Sequence, residues 1–186
     1  MKSNIIPAVK LTLICIIFFS GIYTSFIYGV SQFSSNSGKG EVIMHHGKTF
    51  YAGIGQHFTD DRYFHSHPSA VNYRADGSGG SNKGPSNPAY LAEVQARIDT
   101  FLTHNPGIDR SAIPSDLVTT SGSGLDPHIS VQAAIVQVPR IAKIRGMAEP
   151  NIEQLIISNT EKPLFGLFGP AHINVLKLNI ALDNLN

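Results

Sequence analysis

The stretch Leu11 to Val30, LTLICIIFFSGIYTSFIYGV, carries no charged residue. At ~1.5 Å rise per residue, about twenty such positions cross a hydrocarbon core of ~30 Å. A chain holding this stretch is therefore expected to fold in two parts, an apolar helix that lipid can solvate and a separate domain after it. Inside the stretch Gly21, Ser25 and Gly29 recur every fourth residue and line one helical face. That small-xxx-small pattern lets a second membrane helix approach backbone to backbone, so these three residues are the candidate helix-packing face. A cleaved signal has a shorter apolar run of ~7–15 residues and a small-residue cleavage site. Here the run is longer, and Gly29 with Ser31 makes only a weak cleavage pair. Cys15 follows Ile14 rather than the small residue of a lipoprotein site, and it reads as an apolar filler of the span. As the single cysteine it forms no internal disulfide.

Lys2 and Lys10 crowd the N-terminal side of the span, whereas the first cation after it is Lys39. The positive-inside rule then predicts a cytoplasmic tail over 1–10, a transmembrane helix over 11–30, a Gly/Ser-rich linker over 31–40 and an extracytoplasmic domain over 41–186. About 145 residues beyond the linker are room for one domain with its own core. A net charge of +1 without a basic run gives nucleic acid no electrostatic footprint.

Past the linker, two short strands are expected around 42–46 and 49–52, turning at Gly47-Lys48. Residues 73–88 (YRADGSGGSNKGPSNP) are too rich in Gly, Ser, Asn and Pro for regular structure. Asn87 or Ser86 caps a helix opening at Pro88 and running to about His104, with Leu91, Val94, Ile98, Phe101 and Leu102 on its inner face. An extended segment is predicted over 113–120, then a second glycine-rich loop, SGSGLDPH, leading to Ser130 as an N-cap. Pro139 divides the following helical stretch in two, Gly146 ends it, and Pro150 opens another helix to Asn159. An apolar LFGLFG turn, a strand over 173–178 and a short terminal helix complete the reading. The fold class is a single N-terminal transmembrane helix plus one α+β extracytoplasmic domain.

Several motifs invite chemistry and lack its full pattern. The loop Gly77–Gly84 has the glycines of an anion cradle, but Lys83 precedes its glycine, which excludes GxxxxGK followed by Ser or Thr. His65-Ser66-His67, with His45, His46 and His57, offers imidazoles without HExxH or any cysteine outside the span. Ser121 or Ser123 with Asp126 and His128 supplies the residue types of a hydrolase triad, yet serine stands where GxSxG needs its first glycine. No catalytic, cofactor or metal residue is predicted. Gly77, Gly79, Gly80, Ser81 and Asn82 of the first loop, and Ser121, Gly122, Gly124, Asp126 and His128 of the second, are the candidate interface residues.

Taken in order, the single span, YFHSHPSA, SGGSNKGPSNP, LVTTSGSGLDPHIS, QVPRIAKIRG and NVLKLNIALD resemble the C subunit of the bacterial Kdp potassium-transporting ATPase over nearly the whole chain. Departures include His67 where the family usually has arginine before Pro-Ser-Ala, Arg74 in place of the asparagine of a Tyr-Asn pair, and Lys83 in place of an apolar residue. The resemblance implies a non-catalytic accessory subunit of an ATP-driven inner-membrane potassium uptake complex. Its partners would be a potassium-selecting channel-like subunit, an ATP-hydrolysing P-type subunit and a very small membrane subunit. It also implies that this subunit stabilises the complex and raises the ATP affinity of the catalytic subunit, with no cofactor of its own. Because ATP is cytoplasmic and the domain is expected outside, that effect would reach the nucleotide through the membrane subunits, as a coupling between distinct sites. Direct contact by Gly77–Gly84 or Gln137 would need the inverted topology. The alternatives are a membrane-tethered periplasmic hydrolase or metal-binding module using His65 and His67, and a tethered module that binds some other protein.

Overall fold

The computed structural model describes residues 4–185; Lys2, used above for orientation, and Asn186 lie outside the described residues. The chain divides into two compact units, one ending at Tyr51 and the other beginning at Ala52.

The first unit opens with a helical rod from Ile5 to Ser31, long and apolar enough to cross a membrane. It comprises α1 (Ile5–Ile16), a π-helical segment (Ile17–Tyr23) and α2 (Thr24–Ser31), none with a buried residue. Pro7 sits in the first turn, where its missing N–H breaks no helical bond, so the helix begins ahead of the uncharged stretch. In the wide turn the Thr24 hydroxyl donates to the Phe19 carbonyl, five residues back, at 2.9 Å. After a chain of turns, β1 (Val42–His45) and β2 (Lys48–Tyr51) form an antiparallel hairpin, Val42 opposite Tyr51 and His45 opposite Lys48. The turn lies at His46-Gly47, one residue earlier than the sequence suggests. Both residues have positive φ, 47° and 72°, as a two-residue hairpin loop with the right twist requires.

The second unit is an α+β domain. Its helices are α3 (Pro88–His104), α4 (Val131–Ile135), α5 (Val138–Arg145), α6 (Glu149–Ser158) and α7 (Val175–Asp183). The strands β3 (His128–Ser130), β4 (Thr160–Glu161) and β5 (His172–Asn174) form an antiparallel sheet in the order β3-β5-β4. Phe64, Ile129, Ile141, Ile152, Ile156, Ile173, Leu178 and Leu182 fill the core between sheet and helices. Local chemistry sets the helix ends. The Asn87 side chain accepts from Tyr90 N, Ser130 from Ala133 N and Asn174 from Lys177 N, and α5 stops at left-handed Gly146.

Three expectations are corrected. Residues 113–120 form no continuous extended segment: Ile113 and Pro114 are extended, but a 3-10 turn at Ser115–Leu117 breaks the run, and a further 3-10 turn at Arg110–Ala112, started by the Asp109 carboxylate accepting from Ser111 N, precedes it. The strand predicted over 173–178 ends at Asn174, because that side chain caps α7 and turns the backbone helical. Leu91 is 52 % exposed rather than on the inner face of α3, where Val94, Ile98 and Phe101 meet the core.

Candidate interface

No helix or ladder strand covers residues 52–87, so their backbone groups must find partners elsewhere. Buried side chains provide them. Phe64 is fully buried, and the Asn179 amide of α7 grips its backbone from both sides, accepting from Phe64 N at 2.9 Å and donating to Phe64 O at 3.0 Å. Gln137, also fully buried, accepts from His65 N at 2.8 Å and donates to the Ala133 carbonyl at 2.9 Å. Arg140 on α5 adds three bonds from one guanidinium, to Asn105 Oδ1 at 2.9 Å, to Gln137 Oε1 at 2.8 Å and to the Asp61 carbonyl. One helical turn further, Arg145 donates to the Arg62 carbonyl at 2.8 Å and to Asp183 at 2.7 Å, with its guanidinium over the Tyr63 ring. Three of the sequence words thus form one clamp: QVPRIAKIRG and NVLKLNIALD hold YFHSHP by its main chain.

Burial shapes the electrostatics of the clamp. It lowers the Arg140 guanidinium to a pKa of about 10, against the pull of Asp61 and Asp60. Burial, reinforced by the Arg140 charge and opposed by Asp61, lowers His65 to about 4, so this imidazole is neutral at physiological pH. His65 lies toward Asp61, 3.8 Å away, and toward the His104 ring, whereas His67 is among the neighbours of Asp126 that lower its carboxyl. The two histidines of HSH therefore face different neighbours and do not converge on one ligand.

The two glycine loops meet. Gly79 N and Ser78 Oγ both donate to the Ser123 carbonyl, at 2.8 and 2.9 Å. A Cβ on Gly80 would stand 2.9 Å from Gly122 O, and one on Gly124 only 2.7 Å from Gly79 O, with Gly124 also at φ +67°. Glycine is needed here because two backbones run in contact. Ser69 staples the pair, its hydroxyl donating to Gly124 O at 2.6 Å while accepting from Tyr73 N at 2.9 Å. Ser121 is buried and its N–H goes to Pro68 O, whereas Ser81 stays half-buried and Asn82 exposed at the rim. Gly77 has open space around it.

The triad residue types do not assemble. Ser123 Oγ accepts from Leu125 N, and Asp126 Oδ1 accepts from both N–H groups of His128, so among the described residues no serine hydroxyl bonds to His128. Hydrogen bonding from His128 holds the Asp126 carboxyl below its usual range. A cleft of about 460 Å³ is bordered by both polar side chains (His57, His65, Tyr73, Arg97) and apolar ones (Phe58, Phe101), and among the described residues it likewise holds no paired nucleophile and base. Tyr73 in its wall, raised by burial to about 12, spends its hydroxyl on the His67 carbonyl at 2.8 Å.

Opposite in character is the tip 164–168. Leu164 and Phe168 close it with a pair of backbone bonds at 3.1 Å, and Gly166 N returns to Pro163 O at 2.8 Å. Leu164, Phe165, Leu167 and Phe168 all project into solvent, Phe165 84 % exposed and Leu167 81 %. Grouped this way, the four side chains form an exposed apolar patch. Sequence reasoning noted the LFGLFG turn without assigning it to an interface; the signal was four large apolar residues in a loop bounded by prolines on both sides.

Comparison of the sequence with known proteins finds relatives along nearly its whole length. The family described as K+-transporting ATPase, c chain (KdpC) matches residues 5–184. A Potassium-transporting ATPase KdpC subunit of Flavobacterium psychrophilum is 49 % identical over 183 residues, covering 98 % of each chain. One from Flavobacterium johnsoniae is 50 % identical with the same coverage, and one from Caldanaerobacter subterraneus subsp. tengcongensis is 44 % identical over 98 % of this chain and 95 % of its own.

Proposed function

The chain belongs to the KdpC family of K+-transporting ATPase c chains, and on that premise we propose that it is a non-catalytic accessory subunit of a Kdp potassium uptake complex, anchored by one helix in the inner membrane with its second unit outside the cytoplasm. The observation that carries this reading is the reach of the family match, residues 5–184, which includes both the apolar helix and the α+β unit. Its partners in this reading are the potassium-selecting channel-like subunit, the ATP-hydrolysing P-type subunit and the very small membrane subunit. ATP is hydrolysed on the P-type subunit.

Two surfaces suit such partners. The small-residue face Gly21, Ser25, Gly29 has open space at both glycines, room for a neighbouring helix to come close. The tip 164–168 gives the second unit an apolar contact, at about 1.5–3 kcal/mol for each large apolar side chain fully buried. The rims of the two glycine loops, notably Ser81, Asn82 and His128, offer partly exposed polar groups for a further contact. An effect on ATP affinity is indirect in this account. Gln137 is enclosed and spends its amide on His65, Ala133 and Arg140, leaving nothing to offer a nucleotide. The coupling therefore runs through the membrane subunits.

The test is co-purification from membranes with a tag on this chain. Gly21→Leu combined with Ser25→Leu is expected to lower the yield of associated ATPase, and an unchanged yield would refute the packing face. A reporter fused after Asn186 that works only outside the cytoplasm is expected; activity only on the cytoplasmic side would overturn the orientation.

A further inference from the structure

The face of the small sheet turned away from the core carries a second chemistry. Strand alternation sends Ile129 of β3 and Ile173 of β5 inward, and so sends His128, His172 and Glu161 to the opposite face. Glu161 is the direct cross-strand partner of His172, and His128 sits diagonally across from it on β3. One ligand atom from each of the three lies within 4.8 Å of the others, and His172 Nε2 stands 3.4 Å from Glu161 Oε2. Ligand atoms ~2.0–2.1 Å from a tetrahedral ion stand roughly 3.3 Å apart, so this pair is already at coordination spacing and His128 needs an adjustment of order 1 Å.

The surroundings of the two imidazoles point the same way. His128 Nδ1 lies 3.1 Å from Asp126 Oδ1, and His172 Nδ1 lies 3.1 Å from the Pro170 carbonyl. Both partners accept, so the neutral tautomer that satisfies them has its proton on Nδ1 and offers the Nε2 lone pair to an ion. That tautomer, held by a carboxylate on one ring and a carbonyl on the other, is how metal-ligating histidines are oriented. Glu161 is steadied from the other side, with Oε1 3.6 Å from Lys177 Nζ and Oε2 left toward His172. All three side chains are part-exposed, so an ion can enter from solvent.

We propose that His128, Glu161 and His172 bind a divalent ion of the zinc class, with Asp126 and the Pro170 carbonyl orienting the two rings and a fourth position left for water or a donor from a partner. Two nitrogens and a carboxylate oxygen suit that class better than magnesium or calcium, which prefer oxygen throughout. Bound there, the ion ties together three strands of only three, two and three residues, and stabilises the folded unit by mass action.

The test uses the full-length chain in detergent, stripped with a chelator, dialysed against buffered zinc and assayed for bound metal. One zinc per chain is expected. His172→Ala and Glu161→Gln should each abolish stoichiometric binding, and Asp126→Asn should weaken it by about 10–100-fold. Zinc should raise the melting temperature of the unmodified chain and not that of His172→Ala. Replacing both His45 and His46 by alanine should leave the stoichiometry at one. Absence of stoichiometric zinc in the unmodified chain, or binding unchanged in His172→Ala, would overturn the proposal. Should metal-free His172→Ala lose its native circular dichroism, Glu161→Gln decides by the same readout.

Discussion

Replacing Asn179 by leucine keeps the branched side-chain skeleton and exchanges both polar atoms that grip Phe64 for methyl groups. Phe64 N and O would then be buried without partners, at about 1–3 kcal/mol each, so the substitution should cost roughly 2–6 kcal/mol. A domain holds only ~5–15 kcal/mol in total, which makes this a large fraction of it. The chain has no tryptophan, and Tyr63 is fixed against Asp183 and Arg145, so near-ultraviolet circular dichroism during urea titration in detergent follows the second unit. With an m-value of about 2 kcal/mol/M, a loss of about 4 kcal/mol lowers the midpoint by about 2 M. A refuting result is equally definite. If residues 61–66 were held by the Phe64 ring alone, leucine at 179 would be an apolar replacement in an apolar core, and the midpoint would move by less than about 0.5 M.

Three further outcomes are expected. His65 in the folded unit ionises near 4 against 6.5 in the unfolded chain, so the unfolded state binds the extra proton between those values; stability is full above pH 6.5, falls as pH drops toward 4 by roughly 3 kcal/mol, and this slope should flatten in His65→Gln. Gly124→Ala, at φ +67° and 2.7 Å from Gly79 O, should destabilise by about 2 kcal/mol or more, whereas Gly77→Ala, with nothing near it, should stay within about 0.5 kcal/mol; equal effects in urea titrations would mean the loops are not packed on each other. Phe165→Ser with Phe168→Ser should reduce recovery of the ATPase with this chain while leaving the urea midpoint of the isolated chain unchanged, and full recovery would remove the tip from the interface.

What could be read from the chain in advance was mostly local. Pro88 behind Asn87, Ser130 before its helix and Gly146 after another act within one turn of themselves, and they stand as expected. The clamp was not readable in the same way, because Asn179 and Gln137 serve a segment more than 70 residues away in sequence. A polar residue in a helical pattern is ordinarily assigned to the solvent side; the available hint was Asn179 surrounded by Leu176, Leu178, Ile180 and Leu182. The glycine loops were visible as loops, but their reason, backbone contact between Gly79 and Ser123, depends on a pairing that composition does not encode. The histidines followed the same rule. Spacing drew attention to His65 and His67, whereas His128 and His172 are brought together by strand register.

The most direct measurement is the ATPase activity that accompanies this chain when it is purified by its own tag from membranes, followed as a function of ATP with the chain present and deleted. The account predicts that potassium-stimulated hydrolysis co-elutes with the full chain, and that a complex lacking it needs more ATP to reach half its maximal rate. A tagged chain recovered alone and soluble, trimmed of its apolar helix, with the transporter's ATP response unaltered, would contradict it.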